Sequence, residues 1–181
     1  MSEQKKRYYG KYRGLVLNPV DLEFKGKVLA SVTVGGLPLQ VQAEACTPYA
    51  GPGVGFYAIP PLGAGVWIEF EEGDLDKPIW SGCWWNEGEV LAVLTPDISP
   101  PPTPASAASL VVLRTQTARL KLSTLTGEAT LESLLPPGNP AMPTAVHVTP
   151  IMIEITFGLN TIRITPAGIM LNNTALVVLP G

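Results

Sequence analysis

Five carboxylate side chains fall within the short segment "EFEEGDLD", and a pair of carboxylates at a fixed spacing can serve as general acid and base. That chemistry requires burial that drives the two pKa values apart, whereas these residues occupy the outward side of a predicted strand and the turn after it. We therefore expect a solvated edge that blocks strand addition, with a hydrolase as an open alternative. The five residues are Glu69, Glu71, Glu72, Asp74 and Asp76.

Other residue types that could do chemistry lack the partners that the chemistry needs. His147 lies in "TAVHVTP" with no GxSxG and no nearby Cys or Asp arrangement, so a catalytic triad has no support. Cys46 and Cys83 form no CxxC pair and are expected to be two buried thiols, or at most one bridge. The glycines of "YAGPGVGF" match neither phosphate-binding pattern. We expect no catalytic, cofactor or metal site and no enzyme activity.

Composition favours an all-β protein. The chain has 181 residues, of which 19 are proline and 18 glycine. These helix-breaking residues recur too often for the long helices of a helical bundle. The net charge is only −3, so an electrostatic grip on nucleic acid is poorly supported. The first residues, "MSEQKKRYYG", contain no apolar core of a secretory signal, and we expect synthesis in the cytoplasm without a signal peptide.

The chain divides at "TPDISPPPTPASAAS", a proline-rich stretch that predicts an extended spacer. Most charges and all four tryptophans precede it, and few charges follow it. The predicted organisation is an N-terminal extension at residues 1–10, an OB-type barrel at 11–95, a linker at 96–109 and a β-helical spike at 110–181.

Alternating residues predict short strands in the first half, in numbers that suit a small closed barrel of OB type. Val66, Ile68 and Phe70 share one face of such a strand, and "EGDLDKP" makes the following turn. The predicted strands are Tyr12–Leu17, Lys27–Val34, Leu39–Ala45, Gly55–Ile59, Val66–Glu71 and Ile79–Trp84.

Eight short strand-like runs occupy the second half: "LVVLRT", "ARLKLST", "ATLESL", "AVHVT", "IMIEITF", "TIRITP", "GIMLNN" and "ALVVL". Their apolar positions form a stripe that a lone strip of hairpins cannot bury. The predicted inward set is Val146, Val148, Ile151, Ile153, Ile155, Phe157, Ile162, Ile164, Ile169 and Leu171.

Three arrangements could cover this stripe: packing on the barrel, a single-chain solenoid, or intertwining with copies of the same chain. The spacer holds the strip away from the barrel, and no solenoid repeat is recognisable. We therefore predict a trimeric β-prism or β-helix whose interior is the apolar stripe. The basic N-terminal run "KKRYYGKYR" is expected to anchor on a neighbouring subunit.

Three segments carry a family resemblance: "YYGKYRGLVLN" with Asp21, the block from Tyr49 to Trp85, and "NTIRITPAGIMLN". The block is the most specific, with "PPLGAGVW" followed by an acidic strand end and "GDLDKPIWSG". The chain resembles the central spike proteins of contractile injection machines, which include phage baseplate assembly protein V and the OB-plus-needle part of VgrG proteins.

The resemblance implies a structural, membrane-puncturing homotrimer that joins a hub to a tip and transmits the force of a sheath in a phage tail or tail-like particle. Hub contact falls on Lys5, Lys6, Arg7, Tyr8 and Tyr9. A PAAR-repeat tip protein would sit on Thr174, Ala175, Leu176, Val177, Val178 and Leu179, and a cargo effector is a further possible partner. Contact with the target membrane would be transient. The single histidine argues against a metal-holding apex, and the spacer is too short for an inserted lysozyme domain.

An alternative interpretation is an OB-fold module for nucleic acid or carbohydrate with a trimerising β tail. Trp80, Trp84 and Trp85 could then stack on bases. Because no basic groove accompanies them, we instead expect these rings to pack against sister barrels or the start of the needle, with no nucleic-acid partner.

Overall fold

The computed structural model describes residues 6–94, 103–134, 144–172 and 175–178. The chain splits into two compact units, Met1–Glu89 and Val90–Gly181. The expected all-β class is confirmed, since strands dominate both units. Across the described residues, no helix has the length and apolar character that a membrane crossing requires.

The first unit is a closed, OB-like barrel of five strands in the order β1-β2-β3-β7-β6. Neighbouring strands are antiparallel except β3 and β7, which pair in parallel. In residues 6–89 the strands are β1 (Tyr12–Asn18), β2 (Val28–Val34), β3 (Leu37–Ala45), β4 (Ala50–Gly51), β5 (Val54–Gly55), β6 (Gly65–Phe70) and β7 (Pro78–Trp84). Strands β4 and β5 form a separate small hairpin.

Alternate residues of the barrel strands fill its interior, as the two-residue period requires. On β6, Val66, Ile68 and Phe70 are buried, which confirms the predicted inward face. Trp80 is also in this core, and its Nε1–H donates to the Gly26 carbonyl oxygen over 2.9 Å. The expectation that Trp80 packs on a sister barrel is therefore wrong, because its own barrel buries it.

The predicted strand Gly55–Ile59 is wrong. Gly53 takes a positive φ of 73°, so the chain turns back early and pairs Ala50 with Gly55. The Phe56 N–H then donates to the Tyr49 carbonyl oxygen over 2.8 Å. The uncharged residues after this hairpin continue without strand structure as far as β6.

The second unit is an eight-stranded antiparallel sheet in which every strand pairs with its neighbours in sequence. All eight predicted runs form strands, with ends shifted by a residue or two. They are β8 (Leu110–Arg114), β9 (Ala118–Ser123), β10 (Ala129–Ser133), β11 (Thr144–Thr149), β12 (Met152–Phe157), β13 (Asn160–Thr165), β14 (Gly168–Leu171) and β15 (Leu176–Val178). Two short helices precede the sheet, α1 (Glu89–Leu94) and α2 (Pro104–Ala107).

Helix α2 corrects the predicted extended spacer at its C-terminal end. Thr103 caps the helix, since its Oγ1 accepts from the Ser106 N–H at 3.2 Å, and Pro104 occupies the first turn, where no N–H is needed. The alanines that follow favour helix over extended chain. Residues 95–102 of the spacer lie outside the described residues.

Gly65 shows how tightly the barrel wall is built. A Cβ placed on Gly65 would lie 2.6 Å from ring atoms of Trp84 and 2.7 Å from its carbonyl oxygen. The indole of Trp84 therefore lies directly over the glycine, and its Nε1–H donates to the Val66 carbonyl oxygen over 3.1 Å.

We expect Gly65→Ala to lower the free energy of unfolding of the first unit by about 2 kcal/mol, the scale of overpacking in a tight site. Urea denaturation followed by tryptophan fluorescence measures the change. Gly51→Ala is the matched control, because a Cβ placed on Gly51 would meet only a Val54 methyl at 3.2 Å. Equal stability of the parent and the Gly65 variant would contradict this account of the wall.

Candidate functional site

The candidate site is one face of the second unit's sheet, which we call the apolar face. Along it, directly opposed residues of successive strands form two unbroken rows, the apolar ladders. The first ladder is Val111, Leu122, Ala129, Val148, Ile153, Ile164, Ile169 and Val178. The second is Leu113, Leu120, Leu131, Val146, Ile155, Ile162, Leu171 and Leu176.

The ladders are open to solvent in the single chain. Their large members are exposed by between 36% for Val146 and 60% for Val111, with only Leu171 and the small Ala129 less exposed. A contiguous apolar surface of this extent marks a site of association. The described residues of the second unit include no element packed over it.

The opposite face of the same sheet carries the charged residues of the strands, together with apolar ones such as Val112 and Met170. Arg119 donates from Nε and Nη2 to Glu132 at 2.9 and 2.5 Å, and Arg163 donates from Nε to Glu154 at 2.6 Å. These pairs join directly opposed residues of adjacent strands. The sheet therefore has one face whose paired charges are buried or half-buried and one face whose apolar residues are the more exposed.

Most of the predicted trimer core lies on the apolar ladders: Val146, Val148, Ile153, Ile155, Ile162, Ile164, Ile169 and Leu171. Phe157 continues the same face at the end of β12, whereas Ile151 lies in the turn before β12. The apolar face also extends to residues that the prediction omitted, although their alternation was visible in the sequence. These are Val111, Leu113, Leu120, Leu122, Leu131, Leu176 and Val178.

The N-terminal segment predicted to contact a hub lies against the acidic turn of its own chain. The Tyr8 N–H donates to the Gly73 carbonyl oxygen over 2.9 Å, and Arg7 Nη1 donates to the Glu72 carbonyl oxygen over 3.3 Å. Lys6 Nζ lies 5.2 Å from the centre of the Tyr8 ring, and Tyr9 is 71% exposed. Lys5 lies outside the described residues, and the hub role stays a prediction.

The predicted tip-binding segment supplies the last strand of the sheet. Leu176 and Val178 extend the two apolar ladders and are about half exposed. Ala175 precedes the strand and Val177 lies within it. Thr174 and Leu179 lie outside the described residues, so the tip contact stays a prediction.

The acidic cluster is arranged as an exposed turn. Glu69 accepts hydrogen bonds from Lys11 Nζ and Ser81 Oγ, and these bonds hold its pKa below the ordinary value of 4.5. Glu71 pairs with Lys77 at 3.2 Å, and both are more than half exposed. A general acid needs a raised pKa, so the direction at Glu69 is opposite to what hydrolysis requires.

The tryptophans are mostly engaged within the barrel unit. The Arg13 guanidinium carbon lies 5.5 Å from the ring centre of Trp67 and 4.8 Å from that of Trp84, a cation–π arrangement. Trp85 is 64% exposed and is the remaining ring for contact with another molecule, since Trp80 is buried. Two of the three rings proposed for base stacking are thus already occupied or buried.

A cavity of about 730 Å³ lies beside the β4–β5 hairpin, and its lining includes Tyr49, Phe56 and Trp80. Cys46 and Cys83 also line it, but both are free and exposed, so the expectation of buried or bridged thiols is wrong. Partial burial still raises the pKa of the Cys83 thiol. Among the described residues, no cluster of three or more His, Cys, Asp or Glu side chains could hold a metal.

The described residues thus form a closed OB-like barrel in the first unit and a sheet with one exposed apolar face in the second. The family model for the type VI secretion system/phage-baseplate injector OB domain matches residues 12–85. The match begins at the first residue of β1 and ends just after β7, so it covers the whole barrel. No curated protein matches the chain.

The match covers less than half of the chain, all of it within the first unit, and it confirms the resemblance of that part to baseplate spike proteins. The matched domain supports a structural role in the baseplate of an injector, alongside other baseplate components.

We expect the stability of the barrel to depend on pH partly through the Glu69 contacts. The pKa of Glu69 is lower in the folded state than in the unfolded state, so the Glu69 contacts stabilise the barrel fully at a pH above the unfolded-state pKa. This stabilisation is lost as the pH falls through the folded-state pKa of Glu69. Glu69→Gln should therefore flatten the fall in unfolding midpoint below about pH 4.5, as measured by urea titration at several pH values. Glu87→Gln, a change at a carboxylate outside the turn, is the control. If the unfolding midpoints of the parent and the Glu69 variant fell equally at low pH, the stabilising role of the Glu69 contacts would be contradicted.

Proposed function

We propose that the chain is the homotrimeric central spike of a contractile injection system, in a phage tail or tail-like particle. The observation that carries the proposal is the pair of apolar ladders left open in the single chain. The injector OB domain at residues 12–85 supports the baseplate setting.

The area of the apolar face is sufficient for stable association. Complete burial of a Val, Leu or Ile side chain removes on the order of 100 Å² of apolar surface from water. Since the large ladder members are a little under half exposed on average, the face offers about 650 Å² per chain, which lies within the range that one partner contributes to a standard interface. The surface is wholly apolar along both ladders, so its burial leaves no charge without a partner.

Three copies of the sheet would enclose the ladders in a prism, with the paired polar faces outward. The strands would then lie across the long axis, and their hydrogen bonds along it. Such a body resists bending because no single-chain hinge interrupts the sheet in the described residues. This supports a mechanical function, in which a contracting sheath supplies the energy and the spike transmits it to the target envelope.

The outward face suits brief passage through a membrane. Its ion pairs Arg119–Glu132 and Arg163–Glu154 partly neutralise the charges that would otherwise oppose entry into hydrocarbon. We propose no catalytic activity for the chain, since the acidic cluster is exposed and Glu69 has a lowered pKa.

The two ends of the chain would contact different partners. The exposed Tyr9 and the basic residues before it are the proposed hub contact, which would have to compete with the contacts of Arg7 and Tyr8 to the acidic turn. Strand β15 is the proposed seat of a PAAR-repeat tip protein, which could bring a cargo effector.

We expect the purified chain to have three times the chain mass of 19.2 kDa by light scattering coupled to size exclusion. Ile155→Glu places a carboxylate in the centre of a ladder, and the cost of burying an unpaired charge should abolish the trimer. Thr156→Glu is the matched control, because the neighbouring residue lies on the polar face.

Three results would count against the spike. A parent chain that is monomeric at micromolar concentration would contradict it, as would equal effects of the two glutamate substitutions on mass. Salt-sensitive, micromolar binding of oligonucleotides that depends on Trp85 would instead favour the nucleic-acid module.

A further inference from the structure

The turns of the sheet lie along two opposite margins and carry large apolar side chains at their tips. The first margin holds Leu125, in the β9–β10 turn, and Ile151, in the β11–β12 turn, each 74% exposed. The second margin holds Leu159 in the β12–β13 turn, 93% exposed, with Phe157 beside it at 58%. Polar residues normally fill such positions, so these apolar tips are candidates for contact with another molecule.

The two margins have little charge to oppose close contact. In the described turns between strands, Glu128 is the charged residue, and Pro150, Pro166 and Ala167 add further apolar surface to the first margin. Tips and ladders form one continuous apolar surface, because Phe157 follows Ile155 on the same face. The apolar surface of the sheet therefore extends from the ladders to the tips.

A second copy of the chain can cover the tips only in some arrangements. Two sheets stacked face to face would bury the ladders but leave both margins at the solvent boundary. In a closed ring of three sheets, the first margin of each copy meets the second margin of the next. The exposed tips thus favour the ring over the two-copy sandwich, independently of the ladders.

The level of each tip along the stack of strands decides which residues meet. Copies related by cyclic symmetry are not displaced along the symmetry axis, so residues that meet at a corner lie at similar heights along that axis. Ile151 lies between β11 and β12 and Leu159 between β12 and β13, which separates their levels by about 5 Å, one strand spacing. Leu125, between β9 and β10, is three spacings from Leu159, about 14 Å.

We propose that, at each corner of the trimer, Ile151 of one copy packs against Leu159 of the next. The proposal rests on the homotrimer described under Proposed function and adds the contact that joins its faces. Each chain contributes both partners of the pair to different neighbours, so three identical corners close the ring.

Disulfide trapping tests this pairing in the full chain. Cys46→Ser and Cys83→Ser provide a background without free thiols, and Ile151→Cys with Leu159→Cys then places one thiol on each margin. Within one chain the two sites are separated by the whole of β12, about 25 Å, so an internal bridge is impossible. Oxidation by copper phenanthroline and dissolved oxygen should give covalent trimers on a non-reducing denaturing gel.

The matched control pairs Leu125→Cys with Leu159→Cys, whose levels are too far apart for a disulfide. This control and each single-cysteine variant should give no covalent trimer, while circular dichroism and light scattering verify folding and mass. Covalent trimers in the Ile151–Leu159 variant alone would support the corner contact.

Two other results would overturn it in distinguishable ways. A parent of trimeric mass whose Ile151–Leu159 variant stays uncrosslinked, or crosslinks no better than the control, would reject the corner contact but leave the spike standing. A parent of monomeric or dimeric mass would reject the trimer and the corner contact together.

Discussion

The in-register pairing of the second sheet is the constraint on which its other properties depend. From β8 to β15, every pairing continues without a shift, so each apolar position faces another apolar position across the strand boundary. A slip of one residue in any pair would turn the apolar side chains of one strand onto the polar face. The ion pairs on that face depend on the same register, because they join directly opposed residues.

The two units solve the problem of β-sheet stability in opposite ways. The barrel closes β1 onto β6 and buries its apolar residues within one chain, so it needs no partner for its core. In its described residues the second sheet leaves one face exposed and is held by hydrogen bonds and cross-strand contacts. In the proposed trimer, association would bury that face and add packing energy to a sheet that the single chain already forms.

The sequence predicts the strands well because alternation and turn residues act locally. All eight runs of the second unit and five of the six in the first form strands. The failed strand, Gly55–Ile59, depends on where a hairpin turns, and the positive φ of Gly53 moves that turn earlier. Helix α2 was missed because the prolines around it outweighed the cap at Thr103 in the prediction.

Burial proved harder to predict than secondary structure. Whether Trp80 faces its own core or a neighbour depends on the parallel pairing of β3 with β7, which joins segments far apart in sequence. The exposure of Cys46 and Cys83 depends on the open hairpin beside them. The period alone predicts the apolar stripe, whereas its joining into two continuous ladders from β8 to β15 depends on strand register, which the period does not supply.

Strand connectivity also shapes how the second unit reaches its native state. Each strand of its sheet pairs with the strand before it in sequence, so contacts are short-range and the meander can grow hairpin by hairpin, in the low-contact-order regime where folding is fast. In the proposed trimer, the sheet would form first and expose its apolar face until other copies bind. The rate of that binding would depend on chain concentration, so synthesis of neighbouring copies from one messenger RNA would shorten the interval in which aggregation competes.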